Sequence, residues 1–136
     1  MSEEKAEYEA QRWLRQAQDD WEAAHILYTG GKYAQACFLS QQAAEKAVKA
    51  IWYAVGVAPW GHSVLRLVRE VPDETLGARL KECEGAAAFL DQFYVPTRYP
   101  NGLPDLTPSE VYRAEDAQRG LKEASRLIQA VEGLLA

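Results

Sequence analysis

The side chains best suited to chemistry fall into three clusters. The densest is Gln41-Gln42-Ala43-Ala44-Glu45-Lys46, followed by Lys49. At helical spacing Gln42, Glu45, Lys46 and Lys49 share one face, so two ammonium groups and an amide can meet a phosphate or carboxylate together. The plainer alternative is a solvated stripe in which Glu45 and Lys49 form an i,i+4 pair worth about 0.3 kcal/mol. The second cluster is Thr97-Arg98-Tyr99-Pro100. An arginine beside an aromatic can fork onto a phosphate while a base stacks nearby. Alternatively, Arg98 pairs with an acid such as Asp91 or Glu45 while Tyr99 packs down. The third is Gly61-His62-Ser63, where His62 is either a ligand or proton donor, or a helix-start residue bonded to backbone groups.

Other chemistries have less to draw on. Cys37 and Cys83 lie far apart, each inside a helical pattern, without the short paired spacing of a zinc or redox motif. They read as small buried apolar residues. Acidic residues are plentiful but scattered over outward helical positions, so no metal site and no cofactor is expected. Gly30-Gly31 is too short for a phosphate loop and ends a helix instead of starting one. The net charge of −5 argues against a broad nucleic-acid surface, although a small nucleotide site remains compatible with it. The acidic start, Met1 to Tyr8, lacks an apolar signal core. The most apolar stretch, Ala34 to Trp60, is interrupted by Gln41, Gln42, Glu45, Lys46 and Lys49 and cannot span a bilayer. A cytoplasmic protein without membrane contact is the expectation.

The elements that must position these clusters are all helices. The first is expected from a Ser2 N-cap to Thr29, on a seam of Ala10, Leu14, Ala17, Trp21, Ala24 and Tyr28, and is stopped by Gly30-Gly31. The second covers Tyr33 to Val55. Its inner residues Cys37, Ser40, Ala44 and Ala47 are small enough to admit close neighbours, which places it at the bundle centre. A short helix from Ser63 to Val71 is cut off by Pro72. The fourth is expected to run unbroken from an Asp73 cap to Val95, before Pro96. Residues 96–106, with three prolines, form a loop. Thr107-Pro108-Ser109-Glu110 reads as a capping box, opening a fifth helix that continues to the C-terminus. No strand-like alternation is present. The expected fold is all-α: one domain, 1–136, an up-and-down antiparallel bundle of four long helices plus one short helix.

In this order the clusters resemble the HEPN family of small helical-bundle domains. The resemblance rests on Gly31-x-Tyr33, Cys37-Phe38, Gln41-Gln42-Ala43, Glu45-Lys46 and Lys49-Ala50. It continues with Gly61-His62-Ser63, Leu67, Leu90-Asp91, Tyr94, Thr97-Arg98-Tyr99-Pro100, Asp116-Ala117 and Ala124, and covers Trp13 to Val131. It implies a homodimer packed through its long helices. Stand-alone members are often encoded beside a minimal nucleotidyltransferase in a two-component system, and a nucleotide-binding role is proposed for them. Other members are metal-independent ribonucleases, several of them toxins, whose activity rests on an arginine followed four to six residues later by histidine. Neither His25 nor His62 completes that spacing, and no histidine follows Arg98. Cleavage through the 2′-hydroxyl needs a proton carrier near neutral pH, usually histidine, and a cation beside the phosphate.

The leading expectation is therefore a non-catalytic nucleotide- or phosphate-binding module, dimeric and partnered with a nucleotidyltransferase. Gln42, Lys46, Lys49, Arg98 and Tyr99 are its ligand-binding residues, in a pocket shared by the second helix and the proline-bearing loop. The alternatives are a metal-independent endoribonuclease using Arg98 and His62, or a purely structural interaction module. Trp52, Tyr53 and Trp60 are candidates for an exposed aromatic patch.

Overall fold

The computed structural model describes residues 2–136 and contains helices, turns and loops, with no strand among the described residues. Met1, part of the expected domain, lies outside the described residues. The long α1 (Glu3–Thr29) starts where expected, with the Ser2 hydroxyl accepting from the Lys5 N–H at 3.2 Å. At its end the Lys32 N–H bonds the Leu27 carbonyl at 2.8 Å and the Gly31 N–H bonds that of Tyr28 at 3.1 Å. Both bonds require Gly31 at φ 79°, where a side chain would be strained. The same paired closure recurs after α2 (Tyr33–Ala54), at Gly56 and Val57.

α2 is the central helix. Residues on all its sides are buried, many of them alanines. α1 runs antiparallel along it, with Trp13 facing Tyr53, Asp20 facing Lys46 and Tyr28 facing Tyr33. α7 (Ala114–Leu135) packs on another side, where a Cβ on Gly120 would meet the Phe93 ring at 3.2 Å and Ser40 at 3.5 Å. An alanine there would require the Phe93 ring to give way by a few tenths of an ångström. The short α3 (Val64–Arg69) and α5 (Glu84–Asp91) close the remaining flank. One apolar cluster takes residues from α1, α2, α3, α4 (Glu74–Leu80), α5 and α7. The expected all-α helical bundle is therefore the observed fold, and both cysteines are buried in its core.

Two helices differ from expectation. The stretch from Asp73 to Val95 is not continuous. α4 does begin on the Asp73 cap, whose carboxylate accepts from the Leu76 N–H at 2.9 Å. It tightens into a 3₁₀ turn at Lys81–Cys83, and α5 ends at Asp91. In a 3₁₀ turn residues i and i+3 eclipse, so Leu80 and Cys83 both reach the core. Gly77 and Gly85 on either side weaken the α-helical alternative. Beyond Asp91 the chain continues as turns: the Phe93 N–H bonds Leu90 and the Tyr94 N–H bonds Asp91. The helix expected from the Thr107 capping box is also broken. That box is present, with Glu110 accepting from the Thr107 N–H at 3.1 Å, but it caps only the one-turn α6 (Pro108–Val111). Tyr112 and Arg113 are extended, and α7 opens on its own cap, the Asp116 carboxylate accepting from the Arg113 N–H at 2.8 Å. The bundle thus has three long helices and a fourth column assembled from α4 and α5.

Candidate functional site

Glu45, on α2, is 4 % exposed. One oxygen accepts from Lys49 Nζ at 2.9 Å, and the other faces His62 Nδ1 at 3.3 Å and the Gln42 amide at 3.5 Å. Lys49 is itself 8 % exposed. The Glu45–Lys49 pair is therefore an interior ion pair, not part of a solvated stripe, and its loss would strand a buried charge. Lys46 turns the other way, onto Asp20 of α1, whose second oxygen accepts from Gln16 at 2.9 Å.

The loop carrying His62 is pinned from both sides. Fully buried Gln41 donates to the His62 carbonyl at 2.9 Å. Asp91, at the end of α5, accepts from the Ser63 hydroxyl at 2.8 Å and from the N–H groups of Val64 and Leu65 at 2.7 and 3.1 Å. Ser63 in turn caps α3 through the Arg66 N–H. The imidazole then lies on the Tyr94 ring, centroids 4.8 Å apart and planes 17° from parallel, with its side chain 57 % exposed.

Arg98 shares that ring. Its guanidinium carbon lies 4.6 Å from the Tyr94 centroid, 4.4 Å from Phe38 and 5.1 Å from Tyr99. The Nε–H donates to the Tyr94 carbonyl at 2.8 Å, and no carboxylate pairs with the guanidinium among the described residues. The alternative in which Arg98 pairs with Asp91 or Glu45 is not what is found, because both acids are occupied elsewhere. Two terminal nitrogens of a cation held among three rings are left for another acceptor.

The structure thus links Gln42, Glu45, Lys49 and His62 through one carboxylate, and links His62 to Arg98 through Tyr94. No described contact joins Arg98 to Lys46 or Lys49. Tyr99 is half exposed beside Arg98. The expected aromatic patch is only partly exposed: Trp52 donates to the Leu67 carbonyl at 3.0 Å and Tyr53 stacks on Trp13. Trp60 is exposed, with Arg66 3.8 Å above its ring. Phe38, Asp91 and Tyr94 belong to the motifs that carried the family resemblance, yet their roles as ring, pin and platform were not read from them. Asp20 had no local signal at all. Among the described residues no three His, Cys, Asp or Glu side chains gather as metal ligands, and no helix is long and apolar enough to cross a membrane.

Known proteins share the fold and much of the sequence of this chain. A protein of Methanocaldococcus jannaschii named "Putative toxin MJ1304" is 29 % identical over 133 residues, spanning 93 % of this chain and 88 % of its own length. The crystal structure of TT1696 from Thermus thermophilus superposes with a TM-score of 0.84 at 35 % identity, covering 91 % of this chain and 96 % of that one. ST0689, described as an archaeal HEPN homologue, gives 0.76 at 37 % identity over 93 % and 98 % of the two chains. An HEPN domain protein of Thermotoga maritima gives 0.67 at 34 % identity over 91 % and 97 %. The HEPN domain family itself matches residues 10–134, nearly the whole bundle, and the chain belongs to that family.

Proposed function

We propose that this chain is the HEPN member of a toxin–antitoxin-like pair, binding a nucleotide or its phosphate group and working with a separate minimal nucleotidyltransferase. The observation that carries this reading is Arg98: a guanidinium ringed by Phe38, Tyr94 and Tyr99, with its terminal nitrogens free of any described carboxylate. A phosphate takes up the fork, and a base has the half-exposed Tyr99 ring to stack on. Gln42 and Lys49 act behind this surface, through Glu45 and His62. Lys46, held by Asp20, serves only a ligand that extends along α2. The toxin name of the archaeal relative supports the two-component setting. Calorimetry with a panel of nucleotides tests the reading. Binding that weakens roughly tenfold in Arg98→Gln, the loss of one charge-assisted contact, is the expected result. Binding indifferent to Arg98→Gln retires the site.

A second reading is favoured by one specific observation, the placement of His62 and Arg98 on the same Tyr94 ring with Glu45 behind Nδ1. In a metal-independent endoribonuclease, Arg98 would hold the scissile phosphate and His62 would move the proton. It requires RNA cleavage in EDTA that disappears in both His62→Ala and Arg98→Ala. Silence of the unaltered protein on RNA rejects it.

A further inference from the structure

A second concave surface lies where the N-terminal half of α1 crosses the C-terminal half of α2. The cleft has a volume of about 630 Å³, within the range of small-molecule sites. Arg12, Arg15 and Lys46 line it, with Glu9 as the one acid. That is a local reversal of sign in a chain of net charge −5.

The three cations are held to different degrees. Arg15 is exposed and has no described partner. Arg12 is joined to Glu9 at 2.6 Å, but this is an exposed i,i+3 pair of the kind that holds weakly in water. Lys46 is fixed in place by Asp20, itself steadied by Gln16, and an ammonium has three donors to share. Beside them Trp13 and Tyr53 are stacked, centroids 5.1 Å apart, a stiff apolar wall that shields one side from water. The indoles of Trp21 and Trp52 donate to backbone carbonyls, whereas that of Trp13 has no acceptor among the described residues.

We propose that this cleft binds a small polyanion of the pyrophosphate class, with Arg12 and Arg15 of α1 and Lys46 of α2 as its cations. Three positive groups on two helices suit a ligand with two or more charges, because a monoanion would answer to only one of them in open solvent. A nucleic-acid strand is disfavoured, since it would run past the exposed acids of α1: Glu3, Glu4, Glu7, Asp19 and Glu22. The site is distinct from Arg98, which does not line this cleft.

Titration of the full chain with inorganic pyrophosphate, followed by ¹⁵N-resolved NMR, tests the proposal site by site. The expected result is a saturable shift of the Trp13 indole N–H and the Arg15 Nε–H together. Their dissociation constant should rise roughly tenfold in Arg15→Gln, and saturation should be lost in Arg12→Gln/Arg15→Gln. Both arginines are exposed, so these variants keep the fold, and unchanged melting confirms it. An absence of Trp13 shifts, or shifts unaltered in Arg15→Gln, overturns the proposal. It also falls if a single-stranded oligonucleotide moves these resonances while pyrophosphate does not.

Discussion

His62 lies nearly flat on Tyr94, and the guanidinium of Arg98 lies 4.6 Å from the same ring centroid. One phenol ring therefore helps to position both the phosphate fork of Arg98 and the exposed imidazole of His62. Tyr94→Leu should release both groups at once. The expected outcome is a loss of nucleotide affinity of roughly tenfold or more, with stability falling by about 1–2 kcal/mol. Calorimetry and chemical denaturation on the same preparation separate the two effects. A variant that binds as tightly as the parent shows that Tyr94 is only packing.

Asp91 accepts three hydrogen bonds from residues 63–65 and so ties the His62 loop to the end of α5. Removing it leaves the first N–H groups of α3 without an acceptor. Asp91→Ala is expected to cost roughly 2–3 kcal/mol, with Asp91→Asn recovering part of the loss. Urea melts give the stability. An upfield or downfield change confined to the His62 ring protons would show that the loop, and not the whole bundle, has moved.

The Glu45–Lys49 pair is almost sealed from water. Glu45→Gln leaves a buried ammonium and Lys49→Met a buried carboxylate, each expected to destabilise by about 3–5 kcal/mol. The double variant Glu45→Gln/Lys49→Met should be closer to the parent than either single change. Denaturation of all four proteins measures the coupling, and additive losses would mean the two charges do not support each other.

Burial pushes the Cys37 thiol up to about 12, with Asp116 contributing in the same direction, and burial raises the Tyr112 phenol as well. The unfolded chain releases the cysteine proton at an ordinary thiol value while the native protein keeps it. Native Cys37 therefore binds more protons than the unfolded form in that interval. Stability is full below the ordinary thiol range and falls as pH rises above it, by at most about 1.4 kcal/mol per pH unit for this group. Urea melts between neutral and strongly alkaline pH should show the decline, and Cys37→Ala should flatten it. The same burial predicts that alkylation of Cys37 waits for unfolding.

What the sequence made legible was local. The ends of α1 and α2 followed from glycines and caps a few residues away, and the central place of α2 followed from its small side chains. The break between α4 and α5 was hidden because Leu76, Leu80, Cys83, Ala87 and Leu90 keep a helical rhythm even where the turn tightens to 3₁₀. Tyr112 and Arg113 were missed for a related reason: a sound capping box at Thr107 gave no sign that its helix would last one turn. The site was the hardest part. Lys46 meets Asp20 across 26 residues and Ser63 meets Asp91 across 28, so neither partnership leaves a trace in nearby spacing. Gln42, Glu45 and Lys49 share the face expected of them, but Lys46, expected on the same face, turns instead onto Asp20 of α1. That the face is turned inward depended on α1, α3 and the His62 loop covering it.

The alanines of α2 carry a consequence for how this protein tolerates change. Ala36, Ala43, Ala44, Ala47 and Ala50 are all at 0 % exposure, sealed where the neighbouring elements close over α2. A larger residue there overfills a packed interface and forces neighbouring side chains or the helices themselves to shift. Saturation mutagenesis would therefore show a band of intolerance from Ala36 to Ile51, flanked by permissive outer positions on α1 and α7. Within that band even a single added methyl group would register before most charge reversals elsewhere.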